Sequence, residues 1–404
     1  MSEDRLRRLL RDEPVPGAAD AERRSRGVIE RAYAERQPVA RPILPRLAIA
    51  LAAATLLAGL LLSPAGATVR EWIDDALTAG VPNAEPALTD LPGGGRLLVE
   101  SPEGPWVVQA DGSRRLLGSY REATWSPRGL FLATTADRTL SALEPDGTPR
   151  WSISAGTPVG DPRWSPSGFR IAYRAGRNLR VINADGTGDR LVDSGVPPVP
   201  PAWFPPGLHL LAYIDGEEKL RIVDPDAGTR MASVQASSGT VALAWSFDGS
   251  LLLEQTRRGL WTREVGSDKL AERIEIGAAR RIQLPARAAV RAAAFSPANQ
   301  AIATLLRLPA GSAGEPRSEV AQVDPDGGPA RRLFAVSGEL SDLAWSPDGS
   351  RLLVAWPGAD QWLFLPHLGV DRIRAVEGVT ELFSPGSPGR APFPRIEGWC
   401  CSTR

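Results

Sequence analysis

The feature that most constrains this chain is internal repetition. Leu343 to Trp356 reads as one strand, one tight turn and a second strand. Leu343-Ala344-Trp345 closes an apolar run, Ser346-Pro347-Asp348-Gly349 supplies turn chemistry, and Arg351 to Trp356 opens a run rich in branched and aromatic residues. Proline at the second turn position fixes φ at about −65°, and Gly349 can take a positive φ without a Cβ clash. Copies stand at Trp125-Ser126-Pro127-Arg128-Gly129, Trp164-Ser165-Pro166-Ser167-Gly168, Trp203-Phe204-Pro205-Pro206-Gly207, Trp245-Ser246-Phe247-Asp248-Gly249 and Phe295-Ser296-Pro297-Ala298-Asn299, with a weaker one at Phe383-Ser384-Pro385-Gly386. The aromatic positions 125, 164, 203, 245, 295, 345 and 383 differ by 39, 39, 42, 50, 50 and 38 residues, the period of a four-stranded propeller blade with two blades carrying insertions.

A second motif follows each turn by roughly twenty residues, where a blade turns from its third strand to its fourth. It stands at Gln109-Ala110-Asp111-Gly112, Glu144-Pro145-Asp146-Gly147, Asn183-Ala184-Asp185-Gly186, Asp224-Pro225-Asp226-Ala227-Gly228 and Asp324-Pro325-Asp326-Gly327. The copy at Asp111-Gly112 belongs to a strand set over residues 96–117 with no aromatic-Ser-Pro strand before it, while Phe383-Ser384-Pro385 has no strand set after it. A strand at 379–384 that completes the 96–117 set would close the ring without a free edge and give an all-β, seven-bladed propeller. Six blades is the alternative if that segment is a tail.

The Trp-Ser-Pro-Asp-Gly turn followed by an apolar strand resembles the WD-repeat-like propeller repeat of TolB-type periplasmic proteins and of the propellers that precede the catalytic domain in prolyl-oligopeptidase-type enzymes. The resemblance covers residues 94–388, leaving 389–404 as a C-terminal tail. It implies the fold and says little of function.

Ahead of the repeats, the first 46 residues hold eleven arginines against eight acidic residues, and residues 1–45 read as a helical, arginine-rich leader. Leu47 to Leu62 is uncharged, and the span 46–67 approaches the ~20 apolar residues a bilayer needs. Arginine crowds its N-terminal side, which places the leader in the cytoplasm and the propeller outside it, on a single-pass signal anchor. Ala65-Gly66-Ala67 offers the rival reading of a cleaved signal peptide. Residues 68–93 join the two parts, first as a short amphipathic helix carrying Trp72 and Ile73, then as a Pro- and Gly-bearing tether. Formal charge is zero, so bulk charge suggests no nucleic-acid partner. Arginine replaces lysine almost throughout, in keeping with a GC-rich bacterial genome.

Catalytic chemistry is thinly marked. The two histidines, His209 and His367, lie in different blades within apolar runs and read as strand residues, which supports neither a two-histidine metal site nor a Ser-His-Asp triad. No Gly-x-Ser-x-Gly elbow is present. Asp224-Pro225-Asp226 and Asp324-Pro325-Asp326 begin like calcium loops but lack the further oxygen ligands, so they read as turn aspartates. Leu143 to Trp151 resembles the blade motif of quinoprotein dehydrogenases, yet its tryptophan does not recur in other blades. No cofactor and no metal is expected. Cys400 and Cys401 are adjacent, and a bond between neighbours is unusual disulfide geometry, so an exposed thiol pair, an intermolecular link and an inert tail all stay open.

These signs point to a membrane-anchored, extracytoplasmic propeller that binds a protein or small ligand without catalysing a reaction. Two other readings stand beside it: a transmembrane sensor with the layout of an anti-sigma factor, signalling to a cytosolic partner through the leader, and a propeller enzyme. The leader lacks the His-x3-Cys-x2-Cys motif of the anti-sigma group. The first strand of each propeller blade lines the central channel, so positions three and four before each repeat aromatic should stand at one mouth. The charged ones, Arg121, Glu122, Asp161, Arg291 and Asp342, are the candidate partner-binding rim. Trp125, Trp164, Trp203, Trp245, Phe295, Trp345 and Phe383 are the structural repeat positions.

Overall fold

The computed structural model describes residues 85, 87–205, 208–267, 274–297, 301–310, 316–367, 372–385 and 391–401. The leader at 1–45, the span at 46–67 and the first part of the 68–93 segment lie outside the described residues. Among the described residues, no helix is long and apolar enough to cross a membrane.

Strands follow the repeats. β1 (Arg96–Ser101), β2 (Gly104–Val108) and β3 (Arg114–Leu116) begin blade 1. Blade 2 is β4 (Glu122–Trp125), β5 (Leu132–Ala136), β6 (Thr139–Leu143) and β7 (Pro149–Ser154). Blade 3 is β8 (Val159–Trp164), β9 (Arg170–Ala175), β10 (Asn178–Asn183) and β11 (Arg190–Ser194). Blade 4 is β12 (Ala202–Trp203), β13 (Leu211–Ile214), β14 (Lys219–Asp224) and β15 (Thr229–Gln235). Blade 5 holds β16 (Thr240–Trp245), β17 (Leu251–Thr256), β18 (Gly259–Ser267), β19 (Ile274–Ile276) and β20 (Arg280–Arg281). Blade 6 is β21 (Ala289–Phe295), β22 (Ile302–Leu308), β23 (Arg317–Val323) and β24 (Arg331–Ser337), and blade 7 is β25 (Leu343–Trp345), β26 (Arg351–Trp356), β27 (Gln361–Pro366) and β28 (Arg374–Glu377). A short helix α1 (Val379–Phe383) and a last strand β29 (Arg395–Cys400) complete the chain. Each sheet is antiparallel, and neighbouring first strands touch in the cyclic order β29, β4, β8, β12, β16, β21, β25 and back to β29. The ring is closed, WD-repeat-like and seven-bladed.

Closure is made by other residues than expected. Val379–Phe383 is a helix, started by Gly378 at φ 70°, and the closing strand is β29, inside the stretch read as a tail. It pairs with β1 in the register Leu97↔Trp399, the same relation as Trp345↔Leu352 and Trp125↔Leu132. Trp399 is therefore the blade 1 aromatic, and Phe383 is a fully buried core residue of the seam between blades 7 and 1. The last part of the tether is also packed: Leu88 and Leu91 are buried in that seam, and Glu85 exchanges backbone hydrogen bonds with Ala375 and Glu377 at the outer strand β28.

The repeat motif has a direct physical reading. Ser346 is fully buried; its Oγ accepts the Arg351 N–H at 2.9 Å and donates to Asp348 Oδ1 at 2.6 Å, while the Gly349 N–H closes the turn on the Ser346 carbonyl with Gly349 at φ 70°. Ser126, Ser165 and Ser246 make the same bond to the N–H five residues on. At three repeats the aromatic is stitched to the preceding blade: Trp203 Nε1 donates to the Arg163 carbonyl, Trp245 to Ala202 and Trp345 to Ala294, whereas Trp125 Nε1 and Trp164 Nε1 are buried without a hydrogen bond. Trp399 donates instead to Gly94. Cys400 and Cys401 are joined by a disulfide at the end of β29, beside the Ser126-Pro127 turn of blade 2.

Candidate functional site: the channel mouth

In an antiparallel blade the start of the first strand, the turn between the second and third, and the loop into the next blade lie at one end. On that face β29 brings Arg395 and Glu397 into the channel, and Glu100, near the end of β1, is the register partner of Arg395. A bulge between Leu98 and Val99 leaves Glu397 unpaired in the ladder, so its side chain joins those of the mouth. Arg395 stands 3.5 Å from Glu100 and 3.4 Å from Glu397. Glu122 at the start of β4 and Asp342 just before β25 come from the flanking blades 2 and 7.

Four carboxylates thus face one guanidinium. Burial, a hydrogen bond shared with Glu397 and the Glu397 charge push Glu100 up to about 8. Burial, with the charges of Asp161 and Glu397, raises Glu122 by more than the Asp161 N–H bond and Arg163 lower it. Asp342 is raised by burial, though it accepts Ser341 Oγ–H at 2.8 Å. For Arg395 burial alone would lower the pKa, but Glu397, Glu100, Asp342 and Glu122 outweigh it and hold the guanidinium above its ordinary value. Glu100, Glu122 and Asp342 each shift in the direction expected where negative charge is in excess and partly desolvated.

The structure brings together three of the five rim residues read from the sequence. Glu122 Oε2 accepts the Asp161 N–H at 2.6 Å, across the boundary of blades 2 and 3, and Asp161 sits in a bulge at φ 55°, with Arg174 Nε on its Oδ2 at 2.8 Å. Asp342 belongs to the same group. Arg291 lies apart, paired with Glu339 at 2.5 Å, and Arg121 is exposed one residue ahead of β4. Glu100, Arg395 and Glu397 were not in the rim read from sequence, because β29 was taken as tail. Applied to Trp399, the same four-before rule selects Arg395.

Neither histidine lies in a strand. His367 is buried just after β27, edge-on to Trp345 at 4.7 Å. His209 stands in the first turn of blade 4, on the face opposite the mouth, with Nε2 2.8 Å from Ser167 Oγ and Nδ1 2.7 Å from Asp226 Oδ2. The linear order is that of a catalytic triad, but the surroundings oppose that chemistry. Asp226 also binds Arg170 and Arg190, so its charge is already neutralised, and Ser167 Oγ is shared with Ser165 Oγ and the Phe169 N–H. The chain Ser167–His209–Asp226 ties blade 3 to blade 4. Among the described residues no cluster of three or more His, Cys, Asp or Glu has metal-holding geometry.

No family model matches the chain, and no curated protein matches it. Among solved structures it is similar to the β-propeller domain of Cps50 (Swd1) from Myceliophteria thermophila, at 15% identity and TM-score 0.52 over 66% of this chain and 94% of that one. It is also similar to Kluyveromyces lactis Hsv2 with loop 6CD replaced by a Gly-Ser linker, at 12% identity and TM-score 0.50 over 70% of this chain and 93% of that one. At such identities the likeness carries the propeller fold alone.

Proposed function

We propose that this chain is a membrane-anchored, TolB-like binding module that works without catalysis. Its propeller is held outside the cytoplasm, and the channel mouth engages a protein partner through a segment rich in Arg or Lys. The observation that carries the reading is the mouth itself: Glu100, Glu122, Glu397 and Asp342 gathered around Arg395, with three of the acids raised by burial. An incoming guanidinium or ammonium would relieve that repulsion, which gives both affinity and sign selectivity. Rigid strands hold the acids, so little ordering cost falls on the propeller side. The anchor and its orientation rest on the apolar span 46–67 and the arginines that precede it.

The test uses the full chain. An arginine-rich peptide and its glutamate-substituted counterpart are titrated by fluorescence anisotropy against the wild type and against Glu122→Gln/Asp342→Asn/Glu397→Gln. The cationic peptide should bind at least about tenfold more weakly to the variant, since three charge-assisted contacts are removed. Equal binding of the two peptides, or an unaffected variant, refutes the mouth as a cation site. Reporter fusions at residues 20 and 404 test the orientation separately.

A further inference from the structure

The insertion in blade 5 builds a second feature on the mouth face. The loop that follows β20 leaves a cavity of about 880 Å³, lined by Arg258, Arg281, Gln283, Leu284 and Arg287 and floored by Ile282. This is within the range of small-ligand pockets, roughly 300–1,000 Å³. Its walls are tied. The Ile282 N–H donates to Leu260 O and the Val290 N–H to Arg257 O, both at 2.9 Å, which fastens the two ends of the loop to the β17–β18 hairpin. The buried pair Arg263–Glu254 anchors the segment that leads into β20, as Arg263 Nη1 donates to Gly277 O at 3.2 Å.

The three arginines differ from their neighbours. Arg280 pairs with Glu264 and Arg291 with Glu339, whereas among the described residues no carboxylate forms an ion pair with Arg258, Arg281 or Arg287. Arg281 Cζ lies 5.6 Å from the Trp261 ring centroid, a cation–π contact that holds the side chain at the wall. Arg287 is held at φ 60°, a conformation uncommon for a long side chain and often kept where a loop serves a ligand. Among the described residues no acid lines the cavity.

We infer that this cavity binds a compact, soluble ligand carrying two or more clustered oxyanion groups of phosphate type. Planar guanidinium forks match such groups by paired N–H···O bonds, and three unneutralised cations in one concavity favour multivalent over monovalent anions. Leu284 and Pro285 leave room for a small apolar body beside the charged head. The site is separate from the acidic cluster, being built on blade 5 rather than on blades 7, 1 and 2.

The full chain is titrated calorimetrically with tripolyphosphate and with inorganic phosphate. Tripolyphosphate should bind at least about tenfold more tightly than phosphate, and Arg258→Gln, Arg281→Gln and Arg287→Asn should each weaken it about tenfold, one charge-assisted contact apiece. Arg287→Asn keeps a residue tolerant of the left-handed backbone, so a loss of binding with an unchanged melting curve reports the guanidinium. Arg280→Gln, the ion-paired neighbour, should bind as the wild type does. Equal affinity for the two anions, an equal loss in Arg280→Gln, or binding to anionic phospholipid vesicles without binding to tripolyphosphate would each overturn the inference. Failure here leaves the cationic-peptide titration untouched, since none of these arginines belongs to the mouth cluster.

Discussion

Deleting residues 391–404 tests the closure of the ring most directly. The deletion removes β29, leaves its five register partners on β1 unpaired, uncovers Leu97 and Val99, which are fully buried, and takes Ile396 and Trp399 out of the seam with blade 7. Burial of a side chain such as Leu or Val is worth about 1.5–3 kcal/mol each, and loss of a large apolar core side chain about 2–5. The total for the four side chains, on the order of 7–16 kcal/mol, is comparable with the ~5–15 kcal/mol that holds a domain folded. The truncated chain should aggregate or be digested under conditions in which the full chain is intact, because β1 is left as a free edge beside an opened seam. A graded version uses Trp399, whose indole N–H meets Gly94 O at 2.8 Å and whose ring lies 5.9 Å from Phe364. Trp399→Phe should cost about 1 kcal/mol, the hydrogen bond alone, and Trp399→Ala about 3 kcal/mol or more. By thermal melting the second loss is a shift of roughly 5 °C for a domain of this size. If the 391–404 deletion melts with the full chain, or the two Trp399 variants melt together, β29 does not close the ring.

Two further outcomes follow from the same structure. Glu100 is raised to about 8, so its folded form holds a proton that the unfolded chain has released; the stability it contributes is complete below the ordinary carboxyl range and is lost as pH rises towards 8. Melting of the wild type minus that of Glu100→Gln should therefore fall between about pH 4.5 and 8, and a flat difference would show that Glu100 titrates normally. His209→Ala should lower stability by about 1–2 kcal/mol for two lost hydrogen bonds, and a fluorophosphonate probe should leave Ser167 unlabelled in wild type and variant alike. Labelling of Ser167 in the wild type alone would revive the triad.

What could be read from the chain divides by locality. Trp345-Ser346-Pro347-Asp348-Gly349 is legible because every bond that makes it, from Ser346 Oγ to the Arg351 N–H and to Asp348, closes within six residues. The closing strand is not, because the partner that would complete its motif is at the other end of the domain: after Trp399 no turn follows, and the second strand of that blade is Arg96–Ser101. Phe383-Ser384-Pro385 misled for the complementary reason. It matches the local signature, but the Val379–Phe383 helix before it leaves no strand for the signature to end. Of the five rim positions counted back from true aromatics, Glu122, Asp161 and Asp342 lie in or beside the acidic group and Arg121 and Arg291 do not, while counting back from Phe383 pointed at α1. The disulfide between Cys400 and Cys401 and the burial of Leu88 and Leu91 were equally out of reach, since both depend on the path of the closed ring.

The two charged features on the mouth face follow from departures from the repeat. Fifty residues separate Trp245 from Phe295, and the surplus over a plain blade is the stretch containing β20 and the arginine-lined loop. The acids, in turn, collect where β29 and β1 meet, the one blade assembled from both ends of the domain. Around a ring of seven, blade 5 lies across the channel from blades 1 and 2. Cations and acids are therefore separated by the width of the mouth rather than neutralised against each other. Charges further apart than a Debye length, about 8 Å in physiological salt, are largely screened from each other, so each group acts on its own ligand. The raised Glu100 adds a consequence for the acidic side: a bound cation favours its ionised form, so cation arrival near neutral pH is coupled to proton release, and affinity at the mouth rises with pH up to about 8.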